Sequence, residues 1–170
     1  IDKDTTGLLV VAKNDNAHLS LTNQLSDRSL SRTYYAIVHG NITEDSGTVS
    51  APVARSEHDR KKMAVTHKNG KEAVTDFTVL ERFGKYTLVR CKLRTGRTHQ
   101  IRVHMRHIGH PILGDKTYGV KKEEFSLSGQ LLHAGEIGFI HPRTGEHVSF
   151  TSPLPVDFKD TLDKIRKKYS

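Results

Sequence analysis

The sequence predicts an α+β fold, with a mixed, largely antiparallel central sheet and flanking helices. Strand-like segments follow one another with few helices between them, whereas a doubly wound parallel sheet would alternate strands with helices. These segments lie at residues 31–39, 47–53, 73–83, 86–93, 131–134, 136–141 and 146–151. With 170 residues, the chain is long enough to form one domain with a full hydrophobic core.

A first helix is predicted over residues 14–25. Ala17, Leu21 and Leu25 recur every four positions, which is the spacing of one helix face. Asn14 or the aspartate after it is suited to cap the first turn. The sequence therefore predicts a short amphipathic helix near the start of the chain.

A second helix is predicted over residues 98–108, where Ile101, Met105 and Ile108 form an apolar stripe. Thr98 is suited to cap its start, and a glycine and a proline directly after the segment are suited to end it. A third helix is predicted over residues 157–168, with an apolar face toward the core and a basic last turn that complements the helix dipole.

The N-terminal segment combines a polar turn with the apolar run 8–12. The run is short, branched and bounded by a glycine and a lysine, so it predicts a buried strand. A buried strand would fix the turn before it, and catalysis needs side chains with defined positions. Asp2 and Asp4 are therefore candidates for chemistry; the alternative is that they only cap or solvate the turn.

Two polar segments, residues 55–62 and 121–129, predict loops. Residues 63–65 resume an apolar pattern, and Asn69 with Gly70 is a strong signal for a hairpin turn. Composition suggests a partner as well: a net charge of +8 favours a polyanion, most often nucleic acid, although an ordinary basic protein is the alternative.

The hydrophobic pattern and the cysteine count argue against a membrane-spanning or disulfide-linked protein. No apolar run approaches the roughly 18 residues of a membrane-spanning helix. Cys91 is the single cysteine, so no internal disulfide is expected, which fits a reducing compartment. We expect a cytoplasmic monomer.

Residues 94–102 are dense in hydrogen-bond donors. On a helix, His99, Arg102 and Arg106 share one face beside the apolar stripe. A partly buried Arg102 would need a carboxylate partner, and Asp2 is a candidate for that partner. The alternative is a phosphate-binding helix start without catalysis.

Metal and hydrolase chemistry fit the sequence less well. His104, His107 and His110 lie three residues apart, but no H-E-x-x-H motif is present and helix-breaking residues surround the third histidine. No P-loop and no G-x-S-x-G motif occurs either. We therefore expect no metal site.

Taken together, five segments resemble the RluA/RluD-type RNA pseudouridine synthases. Residues 2–8, D-x-x-T-T-G-L, resemble the end of that family's H-R-x-D-x-x-T-S/T-G-L motif, and Arg32-x-Tyr34 resembles its basic-x-Tyr motif. The remaining three segments are G-R-T-H-Q-I-R-V-H at 96–104, G-H-P-I-L-G-D at 109–115 and L-L-H-A at 131–134. They follow the family's order over nearly the whole chain.

The resemblance implies the pseudouridine synthase catalytic-domain fold and isomerisation of uridine to pseudouridine in RNA, first of all large-subunit ribosomal RNA, without a cofactor. It implies that Asp2 is the essential aspartate, that Arg102 pairs with it and that Tyr34 stacks on the target base. Leu132 would line the pocket. The side chains expected to bind RNA are Arg97, Thr98, His99, Gln100, Arg106 and the loop residues Arg60, Lys61 and Lys62.

Several alternatives remain open at this stage. Tyr34 and Leu132 are also compatible with plain core packing, and the charged loop with a solvated surface. The family's His-Arg pair and the S4 RNA-binding domain common in RluD-like members are not part of the sequence. We therefore expect residues 1–170 to be one N-terminally truncated catalytic domain. A catalytically inactive RNA-binding module is the main alternative function, and a zinc-dependent hydrolase is the second.

Overall fold

The computed structural model describes residues 1–169. It confirms the predicted α+β class, with one seven-stranded sheet, one two-stranded sheet and three helices in that part of the chain. The strands are β1 Thr6–Gly7, β2 Ser31–His39, β3 Ser46–Ser50, β4 Val53–Arg55, β5 Met63–Val65, β6 Val74–Arg82, β7 Tyr86–Leu93, β8 Leu132–Ile140 and β9 His147–Thr151. The helices are α1 Asp15–Ser26, α2 Gln100–His107 and α3 Val156–Tyr169.

The large sheet has the strand order β1-β8-β2-β7-β6-β3, and β9 pairs with the other part of β8. Only the short β1–β8 pair is parallel, and every other pair is antiparallel. The strands predicted at 73–83 and 86–93 are β6 and β7, and they form a hairpin around Gly84, whose φ of +71° suits the residue without a side chain. β4 and β5 pair with each other as a separate two-stranded hairpin, and Val53 of β4 also forms an isolated antiparallel bridge with Lys71.

Helices α2 and α3 cover opposite faces of the sheet. Ile101 and Met105 of α2 pack against one face, together with Ala36 and Val38 of β2. Phe158, Leu162 and Ile165 of α3 pack against the other face, as predicted for the closing helix. Because side chains alternate along a strand, Tyr34 of β2 lies on the α2 face and Tyr35 on the α3 face.

The first helix confirms its prediction with a small difference. In α1, Asn14 caps the start by accepting a hydrogen bond from the Ala17 N–H, and Leu21 is buried. Leu25 is exposed, contrary to the predicted stripe, because Gln24 takes the inward position. The Gln24 amide accepts from the Ile140 N–H and donates to the Ile140 carbonyl, which joins α1 to the end of β8.

Helix α2 begins at Gln100, two residues later than predicted. Its N-cap is His99, in a left-handed conformation with φ of 57°, and Thr98 does not cap it. Instead, the side-chain carbonyl oxygen of Gln100 accepts the Arg97 N–H and stabilises the turn before the helix. The strand bounds predicted at 31–39 and 86–93 match β2 and β7.

The predicted buried strand at residues 8–12 is wrong. Regular pairing with β8 is limited to β1, and only the Leu8 N–H, which donates to the Ala134 carbonyl, extends it. The Leu9 and Val11 side chains are 63% and 70% exposed. The segment is extended with alternating exposure, because its other side chains pack against the cluster around Leu21 of α1.

Two predicted boundaries differ for local reasons. β8 is a single strand that continues through Gly135, where its pairing with β2 shifts register and the missing side chain leaves room for the Tyr35 ring; an added Cβ would lie 2.5 Å from it. The segment 47–53 divides between two sheets, as β3 and the start of β4. Asn69 does form a turn, with φ of 62°, but β5 before it pairs with β4 and not with β6.

None of the helices in residues 1–169 is long and apolar enough to cross a membrane.

Candidate active site

Asp2 lies in a turn that is held by the strand after it and by the buried Gln130. The Thr5 N–H donates to the Asp2 carbonyl, and β1 directly after the turn pairs with β8. The buried Gln130 side chain donates to the Lys3 carbonyl at 2.7 Å and to the Thr5 hydroxyl at 3.0 Å. The turn is therefore held by backbone and side-chain contacts, without the buried strand that the sequence suggested.

Arg102 reaches the same turn from α2. Its Nη1 lies 3.4 Å from the Asp2 Oδ2, which confirms the predicted proximity of the two side chains. Its main partner is Asp115, which accepts from Nε at 2.7 Å and from Nη2 at 3.0 Å. Burial alone would lower the pKa of Arg102, but the hydrogen bonds and charge of Asp115, with a smaller effect of Asp2, raise it above its usual value.

Asp115 is a fully buried carboxylate with four donors around it. Besides Arg102, it accepts the backbone N–H groups of Thr117 and Tyr118, both at 2.9 Å. Burial raises the pKa of this carboxyl, but the Arg102 and backbone hydrogen bonds outweigh burial and hold it below its usual value. Asp115 thus stays charged and fixes the orientation of the guanidinium that faces Asp2.

Tyr118 contacts His99, Arg102 and Arg106, the three residues that were predicted to share one helix face. The Arg102 guanidinium lies 5.0 Å from its ring centre, Arg106 donates to its carbonyl, and its hydroxyl is 2.7 Å from the His99 Nδ1. The same hydroxyl accepts the Met63 N–H, which favours donation of its own proton to His99. Burial lowers the pKa of His99, and the charge of Asp2 only partly opposes this.

One cleft brings together Asp2, Tyr34, Leu132 and His99. Tyr34 stands on the central strand β2, and burial raises the pKa of its hydroxyl. Leu132 is buried at the start of β8 and belongs to the core cluster under the cleft. Arg97 lies at the same cleft, at the turn before α2. A carboxylate with a paired guanidinium, an aromatic face and an apolar floor suit a planar heterocycle and a sugar.

The residues predicted to bind RNA occupy different environments. Arg97 and Thr98 are exposed at the turn before α2, and His99 is half-buried at the cleft. Arg106 is exposed on α2 and lines a surface cavity with Lys62. Arg60 and Lys61 are exposed in the loop between β4 and β5. Lys62 of the basic loop and Arg106 of α2 therefore face the same cavity, whereas Arg60 and Lys61 do not line it.

Gln100 does not fit the predicted role of an RNA contact. It is buried, and its amide oxygen accepts from the Thr95 hydroxyl and the Arg97 N–H. Its amide nitrogen donates to the Val74 carbonyl and the Thr75 hydroxyl. All four hydrogen bonds that an amide can form are used within the protein, so Gln100 supports the turn before α2 instead.

The three histidines of the metal alternative are dispersed. His104 is fully buried, with its ring nitrogens next to the Thr75 hydroxyl and the Ala51 carbonyl. The His110 Nδ1 donates to the His39 carbonyl. Within residues 1–169, no group of three or more His, Cys, Asp or Glu side chains is arranged to hold a metal ion.

The sequence is similar to a known protein family and to several curated proteins. The family model described as "RNA pseudouridylate synthase" matches residues 1–107, which include Asp2, Tyr34 and Arg102. The chain belongs to this family. An "Uncharacterized RNA pseudouridine synthase", YlyB of Bacillus subtilis, is 57% identical over 167 residues, which are 98% of this chain and 54% of that protein. "Ribosomal large subunit pseudouridine synthase D" of Pseudomonas aeruginosa is 48% identical over 179 residues, 98% of this chain and 55% of that protein.

Solved structures of the family have the same fold. "Human RNA Pseudouridylate Synthase Domain Containing 4" superposes with a TM-score of 0.79 at 25% identity, over 98% of this chain and 74% of that chain. "Human RNA Pseudouridylate Synthase Domain Containing 1" gives 0.70 at 28% identity, over 91% and 73%. The chain spans about half the length of the curated relatives it matches.

Sequence reasoning missed three residues that shape the site: Asp115, Tyr118 and Gln130. Asp115 ends the G-H-P-I-L-G-D segment, so the resemblance contained it, but Arg102 was assigned to Asp2 alone. The presence of a second acidic residue in a family segment is the signal that could have identified Asp115 as the partner of Arg102. Tyr118 and Gln130 act through tertiary contacts and leave no local pattern in the sequence.

Proposed function

We propose that this chain is a catalytic domain that isomerises uridine to pseudouridine in RNA. The observation that carries the proposal is the Asp2 carboxylate, held 3.4 Å from the Arg102 guanidinium at a cleft lined by Tyr34. The resemblance described above implies that the aspartate, the arginine and the tyrosine at these motif positions have catalytic roles. Residues 1–170 act as one domain, and the reaction needs no cofactor.

The reaction breaks the bond between C1′ and N1 and forms a bond between C1′ and C5. The base turns in between, the proton on C5 is lost, and N1 gains a proton, so the atoms balance. Asp2 serves this chemistry as an ionised carboxylate, either as a nucleophile or as a base that takes a proton from the sugar. Tyr34 stacks on the base and assists removal of the C5 proton, and Leu132 limits water at the apolar side of the cleft.

The target uridine must leave the RNA stack to reach Asp2, at a cost of a few kcal/mol. Cations on the surface around the cleft compensate by binding the RNA backbone. They are Arg97 at the turn before α2, Arg106 on α2, and Arg60, Lys61 and Lys62 in the β4–β5 loop. Thr98 and His99 add polar contacts close to the cleft.

Large-subunit ribosomal RNA is the proposed substrate, because relatives at 44–48% identity are named as large-subunit synthases. The cytoplasm is the matching location, and we propose that the protein acts as a monomer. Light scattering of the purified chain tests the monomer. Comparison of pseudouridine positions in RNA from a wild-type and a deletion strain identifies the modified nucleotide.

Release of tritium from RNA labelled with [5-³H]uridine tests the reaction itself, since isomerisation frees the hydrogen on C5. The expected result is release that depends on protein and on Asp2. RNA binding without tritium release from any ribosomal RNA would support the alternative of an inactive RNA-binding module.

A further inference from the structure

A second cavity next to the candidate cleft is strongly basic. It has a volume of about 380 Å³, and its charged lining residues are Arg28, Arg32, Arg94, Arg97 and Glu72. We refer to it as the arginine cavity. Arg97 lies at both the arginine cavity and the cleft, so the two spaces share a wall.

Two of the four arginines are neutralised by carboxylates. Arg28 pairs with Glu72 at 3.0 Å, and Arg94 forms two hydrogen bonds to Asp76 at 2.6 and 2.8 Å. Arg97 donates through Nε to the backbone carbonyl of Glu72. The cavity therefore keeps a positive excess.

Arg32 is the least satisfied member of this group. Its Nε is buried and has no hydrogen-bond partner within residues 1–169. Its guanidinium lies against Gly96, where an added Cβ would be 2.4 Å from Nη1. Burial lowers the pKa of Arg32, and the ionisable neighbour that offsets this is the Tyr34 hydroxyl rather than a carboxylate. A half-buried cation without an anion is costly unless a ligand supplies one.

We propose that the arginine cavity binds a phosphodiester of the RNA strand next to the flipped uridine, with Arg32 as the principal donor. The inference rests on the proposed function and deepens it. A planar guanidinium matches the oxygens of a phosphate with two parallel hydrogen bonds. Arg32 and Tyr34 are alternate residues of β2, so their side chains lie on the same face of the sheet, and a phosphate at Arg32 is the neighbour of a base at Tyr34.

A scan of neutral linkages tests the proposal by binding, independently of turnover. Short RNAs carrying one methylphosphonate at each linkage in turn are titrated with the Asp2→Asn chain, in which no substrate is converted. We expect one linkage whose neutralisation weakens binding about ten- to hundredfold. Adding Arg32→Gln should weaken binding of the unmodified RNA to a similar extent and remove the sensitivity at that linkage.

Arg90→Gln is the matched control, because Arg90 is exposed on β7 opposite Tyr35, on the other face of the sheet. It removes the same charge and should preserve the sensitive linkage. The proposal is overturned if no linkage is sensitive, if Arg32→Gln leaves the sensitivity intact, or if Arg90→Gln removes it too. Tritium release is measured separately, so failure of the proposed function and failure of this site give different results.

A second measurement avoids any folding defect of Arg32→Gln. In the unmodified protein, the NMR signal of the Arg32 Nε–H should shift on addition of RNA, and the shift should be absent with the RNA that is neutral at the sensitive linkage. A shift with inorganic phosphate but none with RNA would identify a site for a free anion and overturn the assignment to an RNA linkage.

Discussion

Asp2 and Asp115 bind the same guanidinium, but neutralising each should have a different consequence. The Asp2 side chain is 22% exposed and makes one contact with Arg102, at 3.4 Å. The Asp115 side chain is fully buried and forms two hydrogen bonds with Arg102, at 2.7 and 3.0 Å. We expect Asp2→Asn to abolish isomerisation with little loss of stability, and Asp115→Asn to lower stability strongly.

The magnitudes follow from these contacts. In Asp2→Asn, Arg102 keeps both bonds to Asp115, so the free energy of unfolding should fall by about 1 kcal/mol or less. Asp115→Asn removes the anion of a buried pair and should cost about 3–5 kcal/mol. For a chain of this size about 1 kcal/mol corresponds to roughly 2–4 °C in Tm, so the two variants should be separable by a thermal melt.

The assay combines tritium release in a single turnover, an RNA-binding titration and a thermal melt for each variant. Asparagine lacks the charge to attack carbon or to accept a proton, so Asp2→Asn should bind RNA and release no tritium. Asp4→Asn is the control: Asp4 is exposed, and its φ of 68° is one that asparagine adopts readily. A folded Asp2→Asn protein that converts uridine at near the wild-type rate would refute the assigned chemistry.

Three further predictions concern the base, the backbone and pH. Tyr34→Phe should keep RNA affinity within about twofold and lower the single-turnover rate by roughly a hundredfold or more, if the hydroxyl takes part in proton transfer; an unchanged rate would restrict Tyr34 to stacking. Changing Arg60, Lys61 and Lys62 to glutamine should flatten the log–log salt dependence of RNA binding by about 0.7 for each phosphate that the loop no longer binds, and an unchanged slope would make this loop a solvated surface. Burial lowers the pKa of His104, so below about pH 6.5 the unfolded chain takes up the proton first and the free energy of unfolding falls with falling pH. In urea titrations, the free energy of unfolding of His104→Gln should fall less between pH 7.5 and pH 5.5 than that of the wild type.

Local sequence patterns were sufficient for much of the fold. The bounds of β2 and β7 were predicted correctly, because runs rich in β-branched and aromatic residues and ended by turn residues strongly favour strands. The apolar run at 8–12 satisfied the same rule and failed. Its single-sided packing against α1 leaves Leu9 and Val11 exposed, and burial on two faces is decided by tertiary contacts.

The members of the candidate site were easier to predict than the hydrogen bonds that join them. Asp2, Tyr34 and Arg102 each stand in a short motif, so the resemblance identified them, and the structure brings them to one cleft or its immediate border. The choice of Asp115 as the main partner of Arg102 depends on how the turn after α2 folds back. The full use of the Gln100 amide inside the protein depends on the start of β6 in the same way. Neither set of hydrogen bonds can be predicted from a local sequence pattern.

The separate β4–β5 hairpin has a consequence for the order in which parts of the protein open. Three-residue strands in a two-stranded sheet are marginal alone, so this hairpin depends on packing with Val103 and Tyr118 and should open well below the free energy of global unfolding. Each opening breaks the bond from the Met63 N–H to the hydroxyl that also contacts His99. We expect the Met63 amide to exchange with deuterium faster than the amides of β7, and RNA bound by the loop of this hairpin to slow that exchange and to restrict the motion of the histidine at the cleft.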